Sequence, residues 1–143
     1  MKVLACGMGK IATQLLARLG ETWRVTVVDV SEDVLNEAST SFPCVRRVVQ
    51  GDASSPVVLE EAGLDDVRYV LALTDNDKVN LAICGFARER QDVYVLSLVH
   101  DPVYLPKFEE FSVRTVPVAT IPARSIYHYL LDPRLDVVSV AQG

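Results

Sequence analysis

The chain has 143 residues, a net charge of −5, and a composition that is 50% hydrophobic but only 7% aromatic. That length suits one domain with a real core. The acidic balance argues against a nucleic-acid polymer as partner, and no uninterrupted apolar stretch is long enough to cross a bilayer, so direct membrane insertion is not expected.

Met1 leads straight into an apolar run over 2–6, which predicts a first strand and leaves no room for a signal peptide. The run passes into Gly7-Met8-Gly9-Lys10-Ile11-Ala12. A helical pattern over 10–19 follows, with apolar residues at Ile11, Leu15, Leu16 and Leu19 and with Gly20 as its cap. A second strand over 24–29 ends on Asp29, and Ser31 N-caps a helix that Pro43 stops. A third strand over 45–49 precedes Gly51-Asp52-Ala53, after which Ser54 or Ser55 with Pro56 opens a helix closed by Gly63. A fourth strand over 68–73 ends in Thr74-Asp75-Asn76-Asp77, the start of the longest helix, 76–90. A fifth strand covers 93–98, Asp101-Pro102 opens another helix, and a sixth strand covers 113–116. Thr120 with Pro122 opens the last helix, which ends near Leu131.

Six short Val- and Leu-rich strands in strict alternation with helices predict an α/β fold: a Rossmann-like, doubly wound, six-stranded parallel sheet with helices on both faces. Residues 1–131 form this unit. Residues 132–143 are expected to be a tail or a linker to a region absent from the chain, or the start of a seventh strand. The three cysteines, Cys6, Cys44 and Cys84, make neither a disulfide framework nor a zinc pattern, so a reducing cytoplasm is expected.

Strand, Gly-x-Gly-x-x-Ala, helix and a later acid form the signature of a dinucleotide site. Gly7 permits the tight turn out of the strand, and Gly9 removes a side chain where a pyrophosphate approaches the backbone. Ala12 lets helix and sheet pack closely, and the helix N-terminus faces the phosphates. Lys10 adds charge there or points to solvent. Asp29 accepts hydrogen bonds from ribose hydroxyls, or it serves as an N-cap acid for the Ser31 helix. With no arginine after Asp29 to receive a 2′-phosphate, NAD or an adenosine nucleotide is favoured over NADP. Asp52 takes the adenine amino group or is a turn residue capping the Pro56 helix. The cluster of Thr74, Asp75, Asn76 and Asp77 with Asn80 contacts ribose or phosphate, or caps the long helix. Cys6 lies beside the glycine loop, but buried strand cysteines are usually inert. His100 and His128 lack metal-ligand spacing and read as structural or exposed. Tyr104 and Lys107 are not spaced as a catalytic pair, and Pro106 interrupts them.

Together, Gly7 to Ala12, Asp29, Gly51-Asp52-Ala53, and Thr74-Asp75-Asn76-Asp77 with Asn80 resemble the RCK domain, also called the KTN or TrkA-N domain. The resemblance runs from Met1 to about Leu131. It implies a cytoplasmic regulatory domain that binds NAD or NADH, or alternatively ATP, ADP or AMP. Such domains form homodimers that assemble into rings acting on a potassium channel or transporter subunit at the inner face of the membrane. By position, Gly7, Gly9 and Ala12, with Met8, Lys10 and Ile11 in the same loop, hold phosphates. Asp29 holds the ribose, Asp52 with Ala53 the adenine, and Thr74, Asp75 and Asn80 the far side of the ligand. Many members carry an arginine near the end of the fifth strand. Here Ser97 and Leu98 stand there, which favours NAD or AMP-like ligands over a triphosphate. Many members also continue into a smaller C-terminal ligand domain that this chain does not contain.

The last helix, with Ile121, Ile126, Tyr127, Tyr129, Leu130 and Leu131, is apolar on more than one face. It either packs in the dimer, as in the resembled family, or covers the sheet edge. The functional expectation is a ligand sensor with no catalytic residues and no metal site. The alternative is an NAD-dependent oxidoreductase, or a fragment of one, for which the twelve residues after Leu131 are too few to build a substrate domain.

Overall fold

Six β-branched and leucine-rich runs pair into one all-parallel sheet in the computed structural model, which describes residues 1–118 and 121–132. The strands are β1 (Lys2–Cys6), β2 (Arg24–Asp29), β3 (Val45–Gln50), β4 (Tyr69–Ala72), β5 (Tyr94–Val99) and β6 (Arg114–Pro117). Their spatial order is β3-β2-β1-β4-β5-β6. Chain direction across the sheet reverses between β1 and β4, so the loops leaving these neighbours part and open a crevice at their C-terminal ends.

The helices are α1 (Lys10–Arg18), α2 (Glu32–Ser41), α3 (Pro56–Glu61), α4 (Asp77–Ala87), α5 (Leu105–Glu109) and α6 (Ile121–Leu131). Side chains alternate between the two faces of each strand, and this divides the core in two. Leu4, Cys6, Val28, Val70 and Ala72 pack against Leu59 of α3, Ile83, Cys84 and Ala87 of α4, and Phe108 of α5. On the other face Val3, Ala5, Val25 and Val27 pack against Ala12 and Leu16 of α1 and Leu35 and Ala38 of α2. The doubly wound parallel architecture expected from the alternation is the one observed.

Local chemistry accounts for most element ends. The Ser31 hydroxyl accepts the Val34 N–H, and the Asn76 carboxamide oxygen accepts from Lys78 and Val79, so both helices begin on side-chain caps. Gly63 adopts φ +89° after α3. Several boundaries differ from the periodicity. Gly20 does not close α1 in a left-handed conformation; the helix stops at Arg18, and the extended Leu19 returns its N–H to Leu16. The helix after β4 ends at Ala87 instead of running to 90. The helix expected after Asp101 divides into a 3-10 turn over Pro102–Tyr104 and the short α5, with prolines in the first turn of each. The expected cap Thr120 and most of the expected tail, 133–143, lie outside the described residues.

Candidate functional site

The crevice at the C-terminal edge is a cavity of about 530 Å³. Its walls come from the loops after β1, β2, β3, β4 and β5. They include Gly7 to Ile11, Asp29, Asp52 with Ala53, Thr74 with Asp75, and two residues of the fifth strand and its exit, Leu98 and His100.

The two loop glycines do different work. Gly7 has φ +95°, and a Cβ on it would lie 2.9 Å from both Cα and N of Thr74. Its N–H donates to the Val28 carbonyl at 2.8 Å. Gly7 is therefore where the loop slips between the ends of β2 and β4, and only glycine fits. Gly9 is the N-cap of α1, with extended backbone and no side-chain cap, and a Cβ there would meet nothing within 4 Å. The first N–H groups of α1 thus begin at a residue with no side chain between them and the cavity. Ala12 is fully buried beneath the helix and does not line the cavity.

Asp29 links this loop to β2. One carboxylate oxygen accepts the Met8 N–H at 2.8 Å, and the other accepts the Ser31 N–H at 2.9 Å. Because Ser31 itself caps α2, Asp29 is not the helix cap. Asp52 is exposed on the opposite rim, where its Oδ1 accepts from the Ser54 N–H (2.9 Å) and hydroxyl (2.7 Å). These two bonds hold its carboxyl below the usual carboxylate range. Gly51 packs tightly on Val58, whose methyls lie 2.9 Å from where its Cβ would be.

On the β4–β5 side the polar groups are tied to one another. Asn80 is fully buried: its Oδ1 accepts the Thr74 N–H (3.2 Å) and hydroxyl (2.6 Å), and its Nδ2 donates to the carbonyls of Thr74 and Leu98, both at 3.1 Å. It therefore shapes the loop without lining the cavity. Thr74 and Asp75 do line it. Asp77, expected to contact ligand or cap the helix, instead ties this wall together from behind, and His100, expected to be structural or exposed, lines the cavity. Buried Asp77 accepts the backbone N–H groups of His100 and Asp101, each at 2.8 Å. His100 lies with Nε2 3.0 Å from the Thr74 carbonyl, which assigns the proton to that nitrogen. The available signal was an acid at the first position of α4, which reads equally as a macrodipole partner.

The end of β5 carries Ser97 and Leu98 where many members of the resembled family carry an arginine. Leu98 lines the cavity, and the buried Ser97 hydroxyl donates to the Leu98 carbonyl. Cys6 is buried, and its thiol is pushed up to about 12, mainly by burial and further by Cys84, which is itself raised to about 11 by burial. The thiol is neutral at physiological pH. No described helix is long and apolar enough to cross a membrane.

Known proteins with the same pattern point in one direction. The family model described as the TrkA-N domain matches residues 3–118. The chain is 39% identical to the Trk system potassium uptake protein TrkA of Vibrio alginolyticus over 88 residues, covering 61% of this chain and 19% of that protein. It is 32% identical to the TrkA protein of Halomonas elongata over 120 residues, covering 82% of this chain and 26% of that one. The chain thus spans about a fifth to a quarter of the length of these curated relatives. Among solved structures, the TrkA-N domain of the inner membrane protein ybaL from Escherichia coli superimposes with TM-score 0.72 at 20% identity, covering 91% of this chain and 93% of that one. The GsuK channel bound to NAD gives 0.69 at 20% identity, covering 80% and 21%. The AMP-bound Kef C-terminal domain of Shewanella denitrificans gives 0.69 at 19% identity, covering 99% and 88%.

Proposed function

Because this chain belongs to the TrkA-N domain family, we propose that it is a cytoplasmic ligand-sensing domain of a potassium transport system, with NAD(H) or an adenine nucleotide as its ligand. The observation that carries this reading is the pairing of an uncapped α1 N-terminus at Gly9 with the Asp29 carboxylate across one cavity. The α1 N–H groups suit a phosphate. Each Asp29 oxygen accepts one backbone bond and keeps a lone pair for a ribose hydroxyl. Asp52 suits the adenine amino group, and Thr74 and Asp75 the far part of the ligand.

The cavity wall favours a diphosphate bridge or a monophosphate over a triphosphate: Lys10 is the one cation among the described residues that line it, against Asp29, Asp52 and Asp75. The NAD-bound channel and the AMP-bound domain share this fold and agree with that choice. An oxidoreductase would need an acid or base free to act at the nicotinamide. The His100 imidazole, which lines the cavity, has its Nε2 committed to the Thr74 carbonyl.

A sensor must also transmit its state, and a ligand shifts an equilibrium only if it prefers one state. The proposed route is a homodimer, assembled further into a ring on a membrane potassium channel or transporter subunit. Its support is the apolar surface of α6, where Ile126, Tyr127, Tyr129, Leu130 and Leu131 are 57–73% exposed.

Calorimetric titration of the purified chain with NAD, NADH, ATP, ADP and AMP, with NADP as control, tests the reading. Tight binding of NAD(H) or AMP over NADP is expected. Absence of binding by every ligand would sink the sensor, and steady hydride transfer to a small substrate would replace it with the oxidoreductase.

A further inference from the structure

The opposite, N-terminal edge of the sheet carries a second cleft, of about 200 Å³, that the nucleotide reading does not use. Among the described residues it is lined by Lys2, Arg24, Arg46 and Arg47, with Asp66 as its single acid. Four cations concentrated at one edge are unexpected in a chain whose net charge is −5.

Strand register explains how they meet. Lys2 of β1 is the direct partner of Arg24 of β2, and Thr26, two residues on and so on the same face, is the partner of Arg47 of β3. Three cationic side chains therefore share one face of three neighbouring strands spaced about 5 Å apart. Helix α3 leaves them uncovered. It has only six residues, and the chain turns away at Gly63 into the 3-10 helix Leu64–Asp66, so Ala62, Gly63 and Val67 form one side of the cleft.

The cations are also unneutralised. Arg46 donates to the Glu21 carbonyl at 3.4 Å, whereas among the described residues the side chains of Lys2, Arg24 and Arg47 make no hydrogen bond or ion pair. Both ion pairs formed among the described residues belong to Arg90, elsewhere on the surface. Like charges directly opposite across strands are destabilising, so this arrangement costs the free domain stability that a bound anion would restore. The Thr26 hydroxyl lies in the same cleft, and guanidinium groups suit the oxygens of a phosphate in paired hydrogen bonds.

We propose that this cleft is a second ligand site, independent of the nucleotide cavity, that takes a compact phosphate or diphosphate group. The group arrives either as a free anion or as the headgroup of a phospholipid.

The test uses the full chain at low ionic strength with inorganic pyrophosphate as probe, read by calorimetry and by the thermal midpoint. Saturable binding and a raised midpoint are expected, both weakened about tenfold or more in Arg24→Gln/Arg47→Gln. That variant is expected to melt no lower than the parent without ligand, because it relieves like-charge contacts, so loss of binding is not loss of fold. Lys2→Gln, at an exposed position, serves as a milder second variant. No saturable binding, or binding that survives Arg24→Gln/Arg47→Gln but disappears in Gly9→Val, would overturn the proposal by assigning the anion to the glycine loop. Given pyrophosphate binding here, co-sedimentation with vesicles containing phosphatidic acid, displaced by pyrophosphate, identifies the lipid headgroup as the source. Binding without co-sedimentation identifies the free anion.

Discussion

The two walls of the cavity at the C-terminal sheet edge are built on opposite principles. On the β1–β2 side the polar groups are few, and they face the cavity: a capless helix start, and one carboxylate that accepts two backbone N–H groups. On the β4–β5 side Asn80 and Asp77 are buried and bound to backbone, and Thr74 and His100 are held by them. The first wall is arranged to touch something, whereas the second holds its own shape. Buried polar groups with all partners satisfied rigidify a site, so substitutions of Asn80 and Asp77 act through geometry and those on the first wall through lost contact.

Gly7 joins the two walls and separates them most sharply. Gly7→Val forces a side chain into left-handed backbone and onto Thr74, and about 2–4 kcal/mol of stability should be lost. Gly9→Val, with open space around it, should melt like the parent yet fail to bind NAD. Denaturant titration and calorimetry check both, and equal damage to folding from the two substitutions would break the comparison.

Asn80→Ala strands the Thr74 N–H, leaves the Leu98 carbonyl with the Ser97 hydroxyl as its remaining side-chain donor, and should cost about 2 kcal/mol. A chemical denaturation midpoint that does not move would mean this wall is not held from within. Asp29→Ala should instead act on the ligand, weakening NAD binding by about 1.5 kcal/mol, roughly tenfold, with a smaller effect on folding. Unchanged affinity would reduce Asp29 to a loop tether.

The smallest effect sharpens what lies behind both walls. Burial raises the folded pKa of Cys6 to about 12 and of Cys84 to about 11. The stability gained by keeping these thiols neutral is complete below the ordinary thiol pKa and is lost as pH climbs through 11 and 12. At pH 7 both thiols should stay silent to an aromatic disulfide reagent until the protein is unfolded. Rapid native labelling of Cys6 would reopen a redox role beside the glycine loop.

What the sequence determined by itself was local. The six strands, the left-handed Gly63 and the side-chain caps at Ser31 and Asn76 follow from periodicity and backbone preference within a few residues. So does the glycine loop, because its two glycines and the following helix form one continuous segment. Tertiary structure decided which polar groups meet. Asp29 reaches the Met8 N–H across 21 residues, Asp77 reaches His100 and Asp101 across 23 and 24, and Lys2 stands beside Arg24. The signature places Asp29 with the glycine loop but not its bond to Met8, and nothing in the spacing of the others records their contact. It arises because the order β3-β2-β1-β4-β5-β6 gathers strand starts such as Lys2 and Arg24 at one edge and strand ends at the other. There the side chains must satisfy backbone groups that no neighbouring element can reach.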